Sequence, residues 1–132
     1  MSRLRRLALL PALCVLALPV LVLLARALPV RAADLPEAPA RNTVTMLDLG
    51  AKSCIPCKMM IPVLSALEKD YVGRAAILFI DVWENPEQGK KYGLRAIPTQ
   101  IFYDRQGKET FRHEGFMDQQ AIAAVLDKLL AQ

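Results

Sequence analysis

The chain has 132 residues and a formal net charge of +4, but five of its 17 basic residues fall before Ala33, which leaves 12 Lys and Arg against 13 acids, a net charge of −1. That remainder carries no basic stripe, which excludes a nucleic-acid-binding protein. Without its first 42 residues the chain has about 90, enough for one small core and too few for two domains.

Arg3, Arg5 and Arg6 precede an unbroken apolar run of 18 residues, Leu7 to Leu24, interrupted in character only by Pro11 and Pro19. The run is long for the core of a signal peptide, about 7 to 15 residues, and short for a spanning helix of about 20. Residues 1–32 are therefore read as a signal peptide or an N-terminal membrane anchor; Ala25-Arg26-Ala27 and, more loosely, Val30-Arg31-Ala32 fit a small-x-small cleavage pattern. In both cases the basic end stays cytoplasmic and the rest crosses, so the expected location is periplasmic or otherwise extracytoplasmic, secreted or tethered to the inner membrane. Cys14 is read as a small apolar residue of this segment, because Pro11-Ala12-Leu13 lacks the small residue that lipid attachment wants beside the cysteine. Residues 33–42, with Pro36 and Pro39 among alanines and charges, read as a short extended linker, and residues 43–132 as the domain.

Val44, Met46, Leu47 and Leu49 make a nearly continuous apolar run ending at Gly50, the pattern of a strand covered on both faces, with Asp48 inside it. After Cys54-Ile55-Pro56-Cys57, the residues Met59, Met60, Val63, Leu64 and Leu67 recur at helical spacing toward Tyr71, with Gly73 as the stop and an expected kink at Pro62. Ala75 to Val82 reads as a second central strand, and Asn85-Pro86 as the cap and first residue of a short helix. Thr99 to Tyr103 and Glu109 to Glu114 form a predicted hairpin around Gly107. Asp118 then caps a last helix with Ile122, Val125, Leu126, Leu129 and Leu130 on one face. The order β-α-β-α-β-β-α predicts an α/β fold in which a helix joins a parallel pair and the hairpin adds antiparallel strands.

Cys54 and Cys57 are the only cysteines outside the leader. A cysteine at the start of a helix faces unpaired N–H groups and the positive end of the helix dipole, both of which favour its thiolate. Cys54 holds that position and Cys57, one turn later on the same face, can reach it. The expected chemistry is attack by Cys54 on a disulfide, followed by release through Cys57. A zinc site needs two further ligands, and His113 is the only histidine, so no metal and no cofactor beyond the redox-active disulfide is expected. Asp48, in an apolar strand feeding this loop, should have a raised pKa and could take the proton that Cys57 loses. Ile97-Pro98-Thr99 puts a proline just before a strand, where a missing N–H and a cis bond are tolerated. Lys52 is read as a solvated lysine, Trp83 as a packing residue and Met59-Met60 as core or groove lining.

Taken together, Cys54 to Lys58 as CxxCK, Asp48 six residues before it, Pro62, the run Lys91 to Thr99, Gly107 and Gly115 resemble the thioredoxin superfamily over about residues 43 to 131. The resemblance implies a reduced thioredoxin-like fold with a central mixed four-stranded sheet flanked by helices. It also implies a cis Ile97-Pro98 bond beside the dithiol, Cys54 as nucleophile, Cys57 as resolver, and a protein-substrate groove near Ile97, Pro98 and Gly115. Ser53 and Ile55-Pro56 depart from the Trp and Gly-Pro of cytoplasmic thioredoxins, the lysine that accompanies the buried aspartate maps to Ile77, and residues 33–42 are too short for the family's first strand and helix. With its leader, the chain is similar to small tethered thioredoxin-like proteins of bacterial envelopes.

The function expected from this is an extracytoplasmic thiol–disulfide oxidoreductase, a monomer that reduces disulfides in exported proteins such as apo-cytochromes and is recharged by a membrane electron donor. A disulfide-forming oxidase is the alternative, although such proteins usually have a histidine between the cysteines. A third reading, from another class, is a thioredoxin-fold binding module in which the cysteines only staple a loop.

Overall fold

A run of apolar and β-branched residues can be buried on both sides at once, and Val44–Gly50 (β1) does so: all seven residues are buried. The computed structural model describes residues 35–132; the leader, its cleavage patterns and Cys14 lie outside the described residues. After β1 come α1 (Ile55–Asp70), β2 (Ala75–Asp81), α2 (Pro86–Lys91), β3 (Thr99–Tyr103), β4 (Glu109–Glu114) and α3 (Gln119–Leu130). This is the expected element order, with both hairpin strands at the expected limits.

The strands form one mixed sheet in the order β2-β1-β3-β4, so β2 is an edge strand and not the second central strand its apolar run suggested; its first five residues are only partly buried. β1 is parallel to β2 and antiparallel to β3, which pairs antiparallel with β4. Alternation along β1 sends Val44 and Met46 into one cluster with Met60, Leu64 and Leu67 of α1, Phe102 of β3, and Ile122 and Leu126 of α3. It sends Leu47 and Leu49 into a second cluster with Ile80, Val82 and Ile101, joined by Tyr92 and Leu94 just past α2. The sheet is thus covered on both faces, as the apolar runs of β1 and β2 require.

Helix ends follow local chemistry with one exception. Asp118 Oδ1 accepts from Ala121 N at 2.8 Å, the expected cap of α3. Asn85 precedes α2 but does not cap it; its Nδ2 donates to Asp81 O at 2.9 Å instead. α1 carries Pro56 in its first turn, where a missing donor is harmless, and runs on past Pro62 to Asp70 while burying Cys57, Met60, Leu64 and Leu67. The stretch read as a linker also finds partners: Ala38 is buried in the second cluster, its carbonyl accepts from Tyr92 Oη at 3.0 Å, and Ala40 N donates to Thr45 Oγ1 at 3.0 Å.

The two long helices are tied by Tyr71, buried at the end of α1, whose hydroxyl donates to Asp127 Oδ1 of α3 at 2.9 Å. Tyr71→Phe should lower the unfolding free energy by about 1 kcal/mol, the net worth of one such hydrogen bond. The measurement is a urea titration with the disulfide intact, in which the midpoint should fall at constant slope. An unmoved midpoint would mean that packing alone holds α1 to α3.

Candidate active site

Cys54 and Cys57 are joined as a disulfide at the N-terminus of α1, their Cα atoms 5.2 Å apart. Cys54 is the N-cap residue, with extended backbone (φ −80°, ψ 129°) and a side chain that caps nothing. Its sulfur is therefore free for chemistry at the place where the first turn's N–H groups favour negative charge. Cys54 is half-buried, whereas Cys57 is only 2% exposed. Cys54 is thus the more accessible of the two.

The loop that carries the dithiol is fastened to the end of β2. Asp81 Oδ2 accepts from Lys52 N at 2.9 Å, and Oδ1 from Trp83 N at 2.9 Å and Glu84 N at 3.2 Å. Burial acts to raise the Asp81 pKa, but these three backbone donors outweigh it and hold the carboxyl below its ordinary value. Val82 N donates to Gly50 O at 2.9 Å and continues the tie. Asp81 escapes a reading of the sequence because nothing local marks a strand-end aspartate as the acceptor for a loop 29 residues earlier.

Beneath the loop lies Asp48, fully buried on the face of β1 that packs under α1. Its one hydrogen-bond partner among the described residues is Gln100 of β3, whose Nε2 donates to Oδ1 at 2.8 Å. Asp48 Oδ2 and Gln100 Oε1 are buried without a partner among those residues. Burial pushes the Asp48 pKa from the ordinary 3.8 up to about 6, with the Gln100 amide opposing part of that rise. A Cβ at Gly50 would sit 3.4 Å from Asp48 Oδ2, 3.4 Å from Cys57 Cβ and 3.2 Å from Phe79 Cε2. Glycine at position 50 thus lets the acid, the second cysteine and an aromatic ring converge on one point.

The residue beside Asp48 on β2 is Phe79, not Ile77 as the sequence suggested: the register pairs Asp48 with Phe79 and Met46 with Ile77. Positions two apart on a strand share a face, so only the inter-strand register separates them. The correction leaves the chemical point standing, since an apolar residue occupies the place either way. Gln100 was missed altogether, although its position as the one polar residue inside Gln100-Ile101-Phe102-Tyr103 was a readable signal.

Ile97-Pro98 is a cis peptide, as the resemblance implied. Pairing of Leu49 with Thr99 puts Pro98 at the end of β1 from which the dithiol loop departs. Gly115 N donates to Pro98 O at 2.7 Å, and Gly115 has φ +99°, a conformation that favours glycine. Pro98 is buried and Ile97 partly exposed. Lys52 Nζ pairs with Glu84 at 2.9 Å. Trp83, expected to pack, is 60% exposed, because Asp81 turns the chain outward just before it; Ile55 and Met59 are exposed as well, while Met60 is in the core. A cavity of about 230 Å³ opens beside Cys57 and Phe79, between Ile61 and Leu64 of α1 and the loop residue Ala51.

An acid whose folded pKa lies above its unfolded value stabilises the fold only while protonated. The contribution of Asp48 is fully present below about pH 4 and is lost as pH rises through about 6. Relative to Asp48→Asn, the unsubstituted protein should lose about 3 kcal/mol of stability between pH 4 and pH 8, because a tenfold difference in proton affinity between the folded and unfolded chain is worth about 1.4 kcal/mol. Urea unfolding across that range with the disulfide intact checks it; parallel pH curves for the two proteins would show that Asp48 is not perturbed.

Comparison with known proteins agrees with this geometry. The family model described as Thioredoxin matches residues 33–128. Thioredoxin of Staphylococcus aureus is 40% identical over 94 residues, covering 71% of this chain and 89% of that protein. Among solved structures, Fasciola hepatica thioredoxin superposes with a TM-score of 0.60 at 27% identity, over 67% of this chain and 83% of that one. The germline-specific thioredoxin Deadhead of Drosophila melanogaster does so with a TM-score of 0.60 at 31% identity, over 67% and 82%. A CxxC disulfide on this four-stranded scaffold carries thiol–disulfide oxidoreductase chemistry, and the chain belongs to the thioredoxin family.

Proposed function

We propose that this protein is an extracytoplasmic protein-disulfide reductase. The observation that carries the reading is the buried acid Asp48 lying under a disulfide whose first sulfur is the more accessible. In the reduced protein the Cys54 thiolate attacks one sulfur of a substrate disulfide, and the other substrate sulfur leaves as a thiolate. Cys57 passes its proton to the Asp48 carboxylate and attacks the Cys54 sulfur. The bond between Cys54 and substrate breaks, the Cys54–Cys57 disulfide closes, and two electrons have moved to the substrate. A pKa of about 6 suits a group that must accept and return a proton near neutral pH. Ile97, Pro98 and Gly115 form the edge against which the substrate chain lies, with the exposed Ile55 and Met59 beside the dithiol.

The reducing direction is favoured by Asp48 and by Ile55-Pro56, which offers no imidazolium to over-stabilise the Cys54 thiolate. The basic and apolar leader supports a location outside the cytoplasm, in which the protein acts as a monomer on oxidised cysteines of exported proteins, such as apo-cytochromes. Electrons then come through a membrane partner, and the disulfide itself is the only redox group.

The equilibrium potential of the Cys54/Cys57 pair against defined dithiol buffers tests the direction. A value near or below about −250 mV is expected; one above about −150 mV would make the protein a disulfide donor. Cys54→Ser should abolish turnover of insulin disulfides, whereas Cys57→Ser should accumulate a mixed disulfide with substrate, visible by non-reducing mass spectrometry. Turnover surviving Cys54→Ser would exclude the dithiol mechanism.

A further inference from the structure

We infer that Gln100 is a positioning residue for proton transfer at Cys57: its amide clamps one oxygen of Asp48, so that the other oxygen is the one turned toward the second cysteine. This rests on the reading of Asp48 as the acceptor of the Cys57 proton. Gln100 and Asp48 are opposite residues of β3 and β1, both fully buried, with Gln100 Nε2 donating to Oδ1 at 2.8 Å. Oδ2 has no partner among the described residues, and it shares with Cys57 Cβ the space above Gly50. A buried carboxyl with a single hydrogen bond can rotate; the amide removes that freedom and leaves Oδ2 as the basic oxygen.

The clamp also sets when the acid is ready. An N–H donated to a carboxylate favours the ionised form, so Gln100 works against the burial that keeps Asp48 protonated. The ionisable groups on the elements around the pair are Asp81 of β2, Tyr103 of β3, Cys57, Lys58, Glu68, Lys69 and Asp70 of α1, Glu109, Arg112, His113 (opposite Gln100) and Glu114 of β4, and Asp118, Asp127 and Lys128 at α3. Several of these are engaged elsewhere: Asp81 by three backbone N–H groups, His113 with the Phe116 carbonyl at 3.1 Å, Asp118 with Ala121 N and Asp127 with Tyr71. Burial raises the proton affinity of Asp48 and the Gln100 amide lowers it. In the step itself the Cys57 S–H bond breaks, the proton moves to Asp48 Oδ2, and the freed electron pair on Cys57 forms the bond to the Cys54 sulfur as the substrate sulfur leaves.

The test is the pH profile of the resolution step, measured in the full chain as the rate at which a Cys54 mixed disulfide with a small aromatic thiol releases that thiol. In the unsubstituted protein the rate should rise with pH through a midpoint near 6. Gln100→Met keeps the length of the side chain without its donor, and should move the midpoint up by about one pH unit, the weight of one hydrogen bond to a charged group. A rate lowered evenly at all pH values with an unmoved midpoint would overturn the inference, since that is the effect of a merely structural residue. Asp48→Asn separates the two readings: it should remove the rise near pH 6, and if the rise persists the acceptor is not Asp48 and both readings fall. Should Gln100→Met not fold, NMR of the unsubstituted reduced protein replaces it. The Gln100 side-chain amide should then titrate with the same midpoint as the Asp48 carboxyl carbon, and an amide indifferent to that titration overturns the clamp.

Discussion

The burial of β1 on both faces is the constraint from which the rest follows. A strand with Val44 and Met46 packed on one side and Leu47 and Leu49 on the other cannot slide by one residue without exchanging its two apolar sets. Its neighbours are therefore fixed in register, β2 on one edge and β3 on the other. What lies at its C-terminal end is fixed with it. Gly50 is held through Val82 and Lys52 through Asp81, so the loop leading to Cys54 leaves the sheet from a rigid edge. The cis Ile97-Pro98 peptide arrives at the same edge because β3 begins opposite the end of β1.

The same constraint carries Asp48 into the core. In a strand covered on both faces there is no solvent side for a carboxyl to choose, so the acid at this position must be buried whatever its chemistry. The fold meets that cost only in part, with one amide from Gln100, an aromatic wall from Phe79 and no cation from β2. A site built for stability would hold an apolar residue or a fully satisfied pair here. The structure instead keeps an acid that is easier to protonate than an exposed one, beside the buried second cysteine, which the proposed mechanism has give up a proton. Function and stability pull in opposite directions at this residue, as they commonly do where chemistry is performed.

Two acids near the dithiol show how environment divides roles between like groups. Asp81 meets three backbone donors and is held ionised as a structural anchor, while Asp48 meets one side-chain donor in an apolar setting and is raised toward neutrality. Both lie at or near the end of a parallel strand, Asp48 in β1 at the centre of the sheet and Asp81 in β2 at its edge. Burial together with the count and kind of donors around each distinguishes the ionised anchor from the acid raised toward neutrality.

Much of this was legible in the residues themselves. Apolar periodicity located every strand and helix, Asp118 announced the start of α3, and the spacing of Cys54 and Cys57 at a strand-to-helix junction marked the site, because such signals are local and act within one turn or one strand. The cysteines, Asp48 and Pro98 could therefore be named before any fold was seen, and the family resemblance added Gly115. Phe79 rather than Ile77 beside the acid, the amide of Gln100 on it, the Asp81 anchor and the buried Ala38 could not. Each depends on which residue of one strand lies opposite which residue of another, or on where a loop returns, and those pairings join residues between about 30 and 50 positions apart, a separation over which periodicity and capping carry no information and only the register of the assembled sheet decides.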